Sequence, residues 1–158
     1  MSRILLDTTY LLPVAGIQIQ GVERDTIRRA KSLGHQLFIS EISLFELAAK
    51  GAKLAKDGLA NKERLTQAVQ SLVSDESLGK VGAYEDGLLQ LAVDLRQNHS
   101  DFVDCLILAT AVSACEMLVT EDELLTSNNE LMATVRRIKP ELVVASSRRL
   151  LGNRKTSG

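Results

Sequence analysis

Short apolar runs separated by longer helical patterns are the sequence feature that most limits how this chain can fold. Four runs have the length and residue types of buried β-strands: 4–6, 37–39, 117–119 and 142–144. Helical patterns lie between them, and a short extended piece fits within 74–82. Strands that alternate with helices are typical of a parallel sheet covered by helices. We therefore predict an α/β three-layer sandwich with a central, mainly parallel sheet of four to five short strands.

Length and composition favour one cytoplasmic domain. The chain has 158 residues, of which 45% are hydrophobic, and we place the domain at residues 1–147. Residues 148–158 form a basic, loosely ordered tail. No apolar run approaches the roughly 18 residues of a membrane span, and Asp7 interrupts the first apolar stretch before it can form a secretion signal. Cys105 and Cys115 lack the spacing of a zinc site, and we interpret them as buried hydrophobes.

Acidic residues occur where ligands bind in such folds, which is at the carboxyl ends of parallel strands. Asp7 directly follows the first strand, and Asp122 lies three residues beyond the third. Glu46 lies near the start of the helix after the second strand. Asp104 lies in the first turn of the apolar helix that leads into the third strand. We therefore predict that these four carboxylates share one edge of the sheet.

A cluster of carboxylates has a specific chemical consequence. Carboxylates that lie close together resist ionisation unless a cation compensates their charge. Hard oxygen ligands favour Mg²⁺ or Mn²⁺, which can activate water and stabilise the charge of phosphoryl transfer. The two histidines, His35 and His99, lie beside no plausible nucleophile. The net charge of −1 gives the whole molecule no strong attraction to nucleic acid, and the 3% aromatic content argues against a base-stacking platform, so we expect any RNA binding to use local basic patches and bound metal.

Each acid also has an ordinary structural interpretation. Asp7 is a residue type that commonly begins a turn. Glu46 is also consistent with an ordinary exposed helix position, and Asp122 with a solvated acidic turn. Asp101 and Asp104 are suited to cap the apolar helix and to favour its N-terminus electrostatically. The expected common location of the acids, rather than any single position, supports a functional site.

Four segments carry a family resemblance, and they are Leu5–Leu12, Ile39–Leu47, Asp104–Ala111 and Leu118–Asp122. In this order they resemble a PIN domain, and within that family the ribonuclease toxin of VapBC-type toxin–antitoxin pairs. The resemblance implies an acidic quartet at Asp7, Glu46, Asp104 and Asp122, and it places the family's hydroxyl at Thr120. We assign Thr8 and Asp101 as supporting residues, with Asp101 as the helix cap or as an acid that reaches metal through water.

The resemblance also implies a function. We expect an endoribonuclease that uses Mg²⁺ or Mn²⁺ to hydrolyse RNA phosphodiester bonds, forms a homodimer and, as a toxin, is inhibited by a small antitoxin protein. Two alternatives stay open, which are an RNA-processing PIN nuclease without an antitoxin and a non-catalytic PIN-like binding or scaffold protein. A structure-specific DNA nuclease is disfavoured, because the chain is short for DNA-gripping elements.

Two basic stripes are candidates for contact with RNA. The first includes Arg24 and Arg28 on the helix predicted over 22–33, and the second includes Lys50 and Lys53 on the helix that carries Glu46. Residues three or four positions apart share a helix face, so each stripe is suited to follow a phosphate backbone. Ordinary solvated helix faces are the alternative interpretation.

Overall fold

A five-stranded parallel sheet organises the structure, a computed structural model that describes residues 2–152. The strand order is β3-β2-β1-β4-β5, so β1 is central and pairs with β2 on one side and with β4 on the other. This arrangement confirms the predicted fold class. The strands within the described residues are β1 (Arg3–Leu6), β2 (Gln36–Ser40), β3 (Leu78–Val81), β4 (Met117–Val119) and β5 (Val143–Ala145).

Helices connect consecutive strands and cover both faces of the sheet. Short 3₁₀ turns occupy Thr8–Tyr10, Leu12–Ala15 and Arg96–Asn98. The α-helices of the described part are α1 (Thr26–Ser32), α2 (Glu41–Lys56), α3 (Lys62–Ser74), α4 (Leu88–Leu95), α5 (Phe102–Ala114), α6 (Glu123–Thr126), α7 (Asn129–Ile138) and α8 (Ser147–Leu151). No helix within residues 2–152 combines the length and the apolar character that crossing a membrane requires.

The alternation of side chains along β1 divides the core into two layers. Successive residues of a strand point to opposite faces, and yet Ile4, Leu5 and Leu6 are all fully buried, so both faces of the sheet are covered. Leu5 belongs to an apolar cluster with residues of α4, α5 and α7. Ile4 and Leu6 belong to a second cluster with residues of α1, α2, α3 and α8. The sheet therefore lies between two helical layers, as predicted.

Local capping explains why α2 and α5 begin at the carboxyl edge of the sheet or close to it. Ser40 ends β2, and its Oγ accepts a hydrogen bond from the backbone N of Ile42 at 3.1 Å. Asp101 precedes α5, and its Oδ1 accepts hydrogen bonds from the backbone N of Val103 at 2.8 Å and of Asp104 at 3.3 Å. These caps satisfy amide groups that a helix leaves without internal partners.

Two predicted elements differ from the structure. The helix predicted over 22–33 begins only at Thr26, because Glu23–Thr26 forms a turn in which Thr26 Oγ1 donates to the Glu23 carbonyl at 2.8 Å. Arg24 therefore lies before α1 and does not share a helix face with Arg28. Residues 148–151, predicted to be loosely ordered, lie in α8, where Leu150 is buried. Residues 153–158 of the predicted tail lie outside the described residues.

Candidate active site

Asp7 lies at the end of the central strand and is held by two hydrogen bonds. Its Oδ1 accepts from the backbone N of Thr8 at 2.7 Å, and its Oδ2 accepts from Thr120 Oγ1 at 2.7 Å. Thr120 directly follows β4 and is buried. The same Thr120 Oγ1 accepts from the backbone N of Asp122 at 3.1 Å. These contacts join the ends of β1 and β4, the neighbouring strands after which Asp7 and Asp122 lie.

The electrostatic surroundings of Asp7 oppose its ionisation. Burial raises the pKa of the Asp7 carboxyl to about 6, although the hydrogen bonds from Thr120 and Thr8 favour the charged form. The negative charges of Asp104 and Glu46 raise this pKa further. Acids on α2 and α5 therefore act on Asp7, which follows β1 at the carboxyl edge of the sheet.

Asp104 extends this group of acids toward Asp122. Burial is the main reason that the pKa of Asp104 is raised, and the charges of Asp101 and Asp122 act in the same direction. A hydrogen bond with His99 opposes this shift, because His99 Nε2 lies 2.8 Å from Asp104 Oδ2. Charge interactions therefore link Asp7 with Glu46 and Asp104, and Asp104 with Asp122. We call these four predicted acids the acidic cluster: Asp7, Glu46, Asp104 and Asp122.

The remaining two acids of the cluster are also engaged by their own elements. The Glu46 side chain is 18% exposed and forms an ion pair with Lys50, whose Nζ lies 3.5 Å from Glu46 Oε1. Asp122 caps α6, because its Oδ1 accepts from the backbone N of Leu124 at 2.8 Å and of Leu125 at 3.3 Å. Both carboxylates of the cluster therefore also make contacts within or next to their own helices.

A divalent cation suits the chemistry of the acidic cluster. Its ligands would all be carboxylate oxygens, the hard donors that Mg²⁺ and Mn²⁺ prefer. The pKa of Asp7 is raised mainly by burial, and the negative charges of Asp104 and Glu46 add to the shift, so a cation bound here would favour the ionised carboxylate. Within residues 2–152, no three His, Cys, Asp or Glu side chains lie close enough to share one metal ion in the positions they have. The donor types therefore fit a metal, while a shared ion requires the carboxylates to move closer together than they lie here.

The supporting residues have distinct positions. Asp101 caps α5 and is not one of the four acids of the cluster. Its negative charge contributes to the raised pKa of Asp104. Thr8 is buried and contributes its backbone N–H to Asp7, whereas its Oγ1 has no hydrogen-bond partner among the described residues. Both residues adjoin the acidic cluster.

The basic candidates are spread over two surfaces. The Arg28 side chain is 83% exposed and pairs with Asp25 at 3.3 Å, while Arg24 is exposed on the turn before α1. Lys50 lies beside Glu46 of the acidic cluster, and exposed Lys53 lies one turn further along α2. Only the α2 stripe is therefore joined to the cluster by a described contact.

Two residues that contact the site or its surroundings were not predicted from the sequence. His99 lies five positions before Asp104 in a turn, and the only sequence signal was its place just before the Asp101 cap. Glu121 lies between Thr120 and Asp122, and its Oε1 accepts from Tyr10 Oη at 2.5 Å and from Ser147 Oγ at 2.8 Å. Burial opposes ionisation of Glu121, but these hydrogen bonds outweigh it and lower the pKa. Such long-range partners leave no pattern in the sequence.

Comparison with known proteins agrees with this fold. No curated protein matches the chain significantly in sequence. A solved structure described as VapBC2 from Rickettsia felis, bound to a DNA fragment from their promoter, has a similar fold with a TM-score of 0.58. That match has 18% identity and covers 90% of this chain and 98% of the other. The family model of the PIN domain matches residues 4–130, from β1 into α7. This chain therefore belongs to the PIN domain family, whose members are generally nucleases.

Proposed function

We propose that this protein is a Mg²⁺- or Mn²⁺-dependent endoribonuclease that hydrolyses RNA phosphodiester bonds. The supporting observation is that the Asp7 carboxylate, held by Thr120 at the carboxyl edge of the sheet, lies within the electrostatic influence of both Asp104 and Glu46. A group of carboxylates repels a phosphate backbone, so it can serve phosphoryl chemistry only together with cations. Membership in a family of nucleases supports the same chemistry.

Each residue of the acidic cluster has a role in this mechanism. Asp7, Glu46, Asp104 and Asp122 would hold the cation, which when bound lowers the pKa of water and stabilises the charge that develops on phosphate. Thr120 holds Oδ2 of Asp7 at 2.7 Å and so limits rotation of that carboxylate. The capping hydrogen bonds of Asp122 orient its carboxylate in the same way. A site that is oriented before the substrate binds loses less free energy to reorganisation during the reaction.

The decisive experiment compares Asp7→Asn with the unchanged protein on single-stranded RNA. We expect the substitution to abolish cleavage, because it removes a negative ligand without changing the size of the side chain. Asp57→Asn is the matched control, since Asp57 is exposed at the far end of α2. Cleavage by the unchanged protein should stop with a chelator and return with Mn²⁺. Equal cleavage by the Asp7 variant, in protein free of contaminating nuclease, contradicts the mechanism.

We further propose that the nuclease is the toxin of a toxin–antitoxin pair. Two observations support a protein partner, namely the fold shared with the VapBC2 structure and an exposed groove of about 1170 Å³ between α2 and α3. Its lining is mostly small or apolar and includes Ala48, Ala52, Leu65, Val69 and Val73. Co-expression with a small protein encoded in the neighbouring reading frame should suppress RNA cleavage and give a stable complex. A PIN nuclease that processes RNA without an antitoxin would remain active in that test.

The proposal includes two properties of the whole protein. The family resemblance implies a homodimer, which light scattering of the purified protein tests directly. A reducing, cytoplasmic location is supported by Cys105 and Cys115, which are both buried and unpaired.

A second candidate is a non-catalytic PIN-like binding protein. The observation that favours it is that no three metal-binding side chains within residues 2–152 are placed to share one ion. Mn²⁺ binding separates the candidates, because a nuclease should bind the ion through Asp7, whereas a scaffold protein should not.

A further inference from the structure

The turn that precedes α5 is fixed from both sides by contacts outside the acidic cluster. Arg96 Nη1 donates a hydrogen bond to the His99 carbonyl at 2.8 Å. Asn128 Nδ2 donates to the Asn98 carbonyl at 2.6 Å, and the Oδ1 atom of the same Asn128 caps α7 by accepting from the backbone N of Leu131 at 3.1 Å. The turn that carries His99 is therefore held at Asn98 by the residue that caps α7 and at His99 by Arg96, which follows α4.

The His99 side chain is directed to one oxygen of Asp104. It is only 6% exposed, and its Nε2 lies 2.8 Å from Asp104 Oδ2. No described residue makes a hydrogen bond to the other oxygen, Oδ1. A donor that occupies one carboxylate oxygen fixes the plane of the carboxylate and leaves the second oxygen to a different ligand.

From this geometry we infer that His99 is a positioning residue for the metal site. Its Nε2–H holds Oδ2 of Asp104, so that Oδ1 is presented to the divalent cation. His99 is not itself a ligand in this arrangement, because the nitrogen that faces the cluster is already used by Asp104. Residues that orient a metal ligand in this way commonly change metal affinity about 10- to 100-fold when they are replaced. The inference rests on the proposed function, since it requires that the acidic cluster binds a cation.

Two substitutions of His99 separate the hydrogen bond from the bulk of the ring. Gln carries an N–H at about the distance of Nε2, and Leu fills a similar volume without any donor. The measurement is Mn²⁺ binding by the full chain without RNA, followed by electron paramagnetic resonance of the free ion. We expect His99→Gln to bind Mn²⁺ within about threefold of the unchanged protein, and His99→Leu to bind about 10- to 100-fold more weakly.

Control variants distinguish this role from a purely structural one. His35→Leu removes the other histidine, which precedes β2 at the opposite edge of the sheet, and should leave Mn²⁺ affinity unchanged. All measurements are made well below the melting temperature of each variant. A residue that only stabilises the fold would lower the melting temperature of His99→Leu without changing its Mn²⁺ affinity, and that result overturns the inference. Equal weakening by Gln and Leu overturns it as well.

Asp7→Asn separates failure of the inference from failure of the proposed function. If the unchanged protein binds Mn²⁺, Asp7→Asn loses it and His99→Leu retains it, then only the role of His99 is wrong. If the unchanged protein does not bind Mn²⁺, both the role of His99 and the proposed nuclease mechanism are wrong.

Discussion

At the scale of single residues, two carboxyls with raised pKa values are each held by a neutral or basic donor. Asp7 accepts a hydrogen bond from the Thr120 hydroxyl at 2.7 Å. Asp104 forms a hydrogen bond with the His99 ring at 2.8 Å. Burial raises both pKa values, and these donors oppose the shift. The fold therefore keeps its acids oriented although it disfavours their charge, which is the condition under which an added cation stabilises the protein most.

The stability of the metal-free protein should depend on Asp7 and on pH. The pKa of Asp7 is about 6 in the folded protein and 3.8 in its ordinary state, so the folded state favours the protonated form. This contribution is fully present below about pH 4 and is lost as the pH rises through about 6, a change on the order of 3 kcal/mol. Asp7→Asn should therefore raise the free energy of unfolding at about pH 8 and change it little at about pH 4. Denaturant titrations in chelator measure both values, and equal effects at the two pH values would contradict the prediction.

Asp104 and Asp101 should differ in their effect on RNA cleavage. Asp104→Asn should nearly abolish cleavage, because it removes a charge from the acidic cluster. Asp101→Asn should retain most activity and stability, because Asp101 caps α5 and Asn caps helices about as well as Asp. Turnover and melting temperature of both variants check this assignment. An inactive Asp101 variant beside an active Asp104 variant would show that the third carboxylate has been misassigned.

At the scale of elements, α2 connects the acidic cluster with a basic surface. It begins at the Ser40 cap beside the sheet, carries Glu46 on its second turn and then presents Lys50 and Lys53 to solvent. The ion pair between Glu46 and Lys50 places the first of these cations next to the cluster. An RNA backbone that enters the site along α2 would therefore meet positive charge before it meets the carboxylates.

The α2 stripe should contribute to RNA binding through phosphate contacts. We expect Lys53→Gln, made in the inactive Asp7→Asn protein, to weaken binding of single-stranded RNA. The slope of log affinity against log salt should become shallower by about 0.7 for each lost phosphate contact. Arg136→Gln is the control, since exposed Arg136 lies in the last turn of α7, which leads toward the opposite edge of the sheet. A slope unchanged by Lys53→Gln would mean that Lys53 belongs to a solvated helix face.

At the scale of the whole molecule, Glu121 joins segments from both ends of the described chain. Tyr10 belongs to the 3₁₀ turn after β1, and Ser147 begins α8 after the last strand. Both donate to Glu121 Oε1, and the backbone N of Ser147 also donates to Tyr10 Oη at 3.2 Å. Because Glu121 lies between Thr120 and Asp122, this network holds α8 next to the carboxyl edge of the sheet, where the acidic cluster lies.

Loss of the Tyr10 hydroxyl should destabilise the packing of α8 against this network. Tyr10→Phe removes one donor from a half-buried, charged acceptor, and we expect a loss of about 1–3 kcal/mol in the free energy of unfolding. Hydrogen exchange should increase in α8 more than in β1, because α8 depends on Glu121 for its position. Tyr84→Phe is the matched control, since Tyr84 is 87% exposed. Equal destabilisation by both substitutions would contradict the role of the network.

Most of the elements, apart from the start of α1 and helix α8, and the order of the acids could be predicted from local residue patterns, because burial periodicity and helix capping are local properties. Leu5 and its neighbours in β1, the Ser40 and Asp101 caps, and the apolar helix α5 all follow from residues close to one another in the chain. Asp7 and Asp122 could be located because parallel strands bring their carboxyl ends to one edge. The folded arrangement was needed to show that His99 contacts Asp104 and that Glu121 holds α8. The hydrogen bond of His99 depends on the geometry of a fixed turn. The hydrogen bonds of Glu121 depend on residues distant in the chain, such as Tyr10, which lies more than a hundred positions away. Local residue patterns predict neither kind of contact.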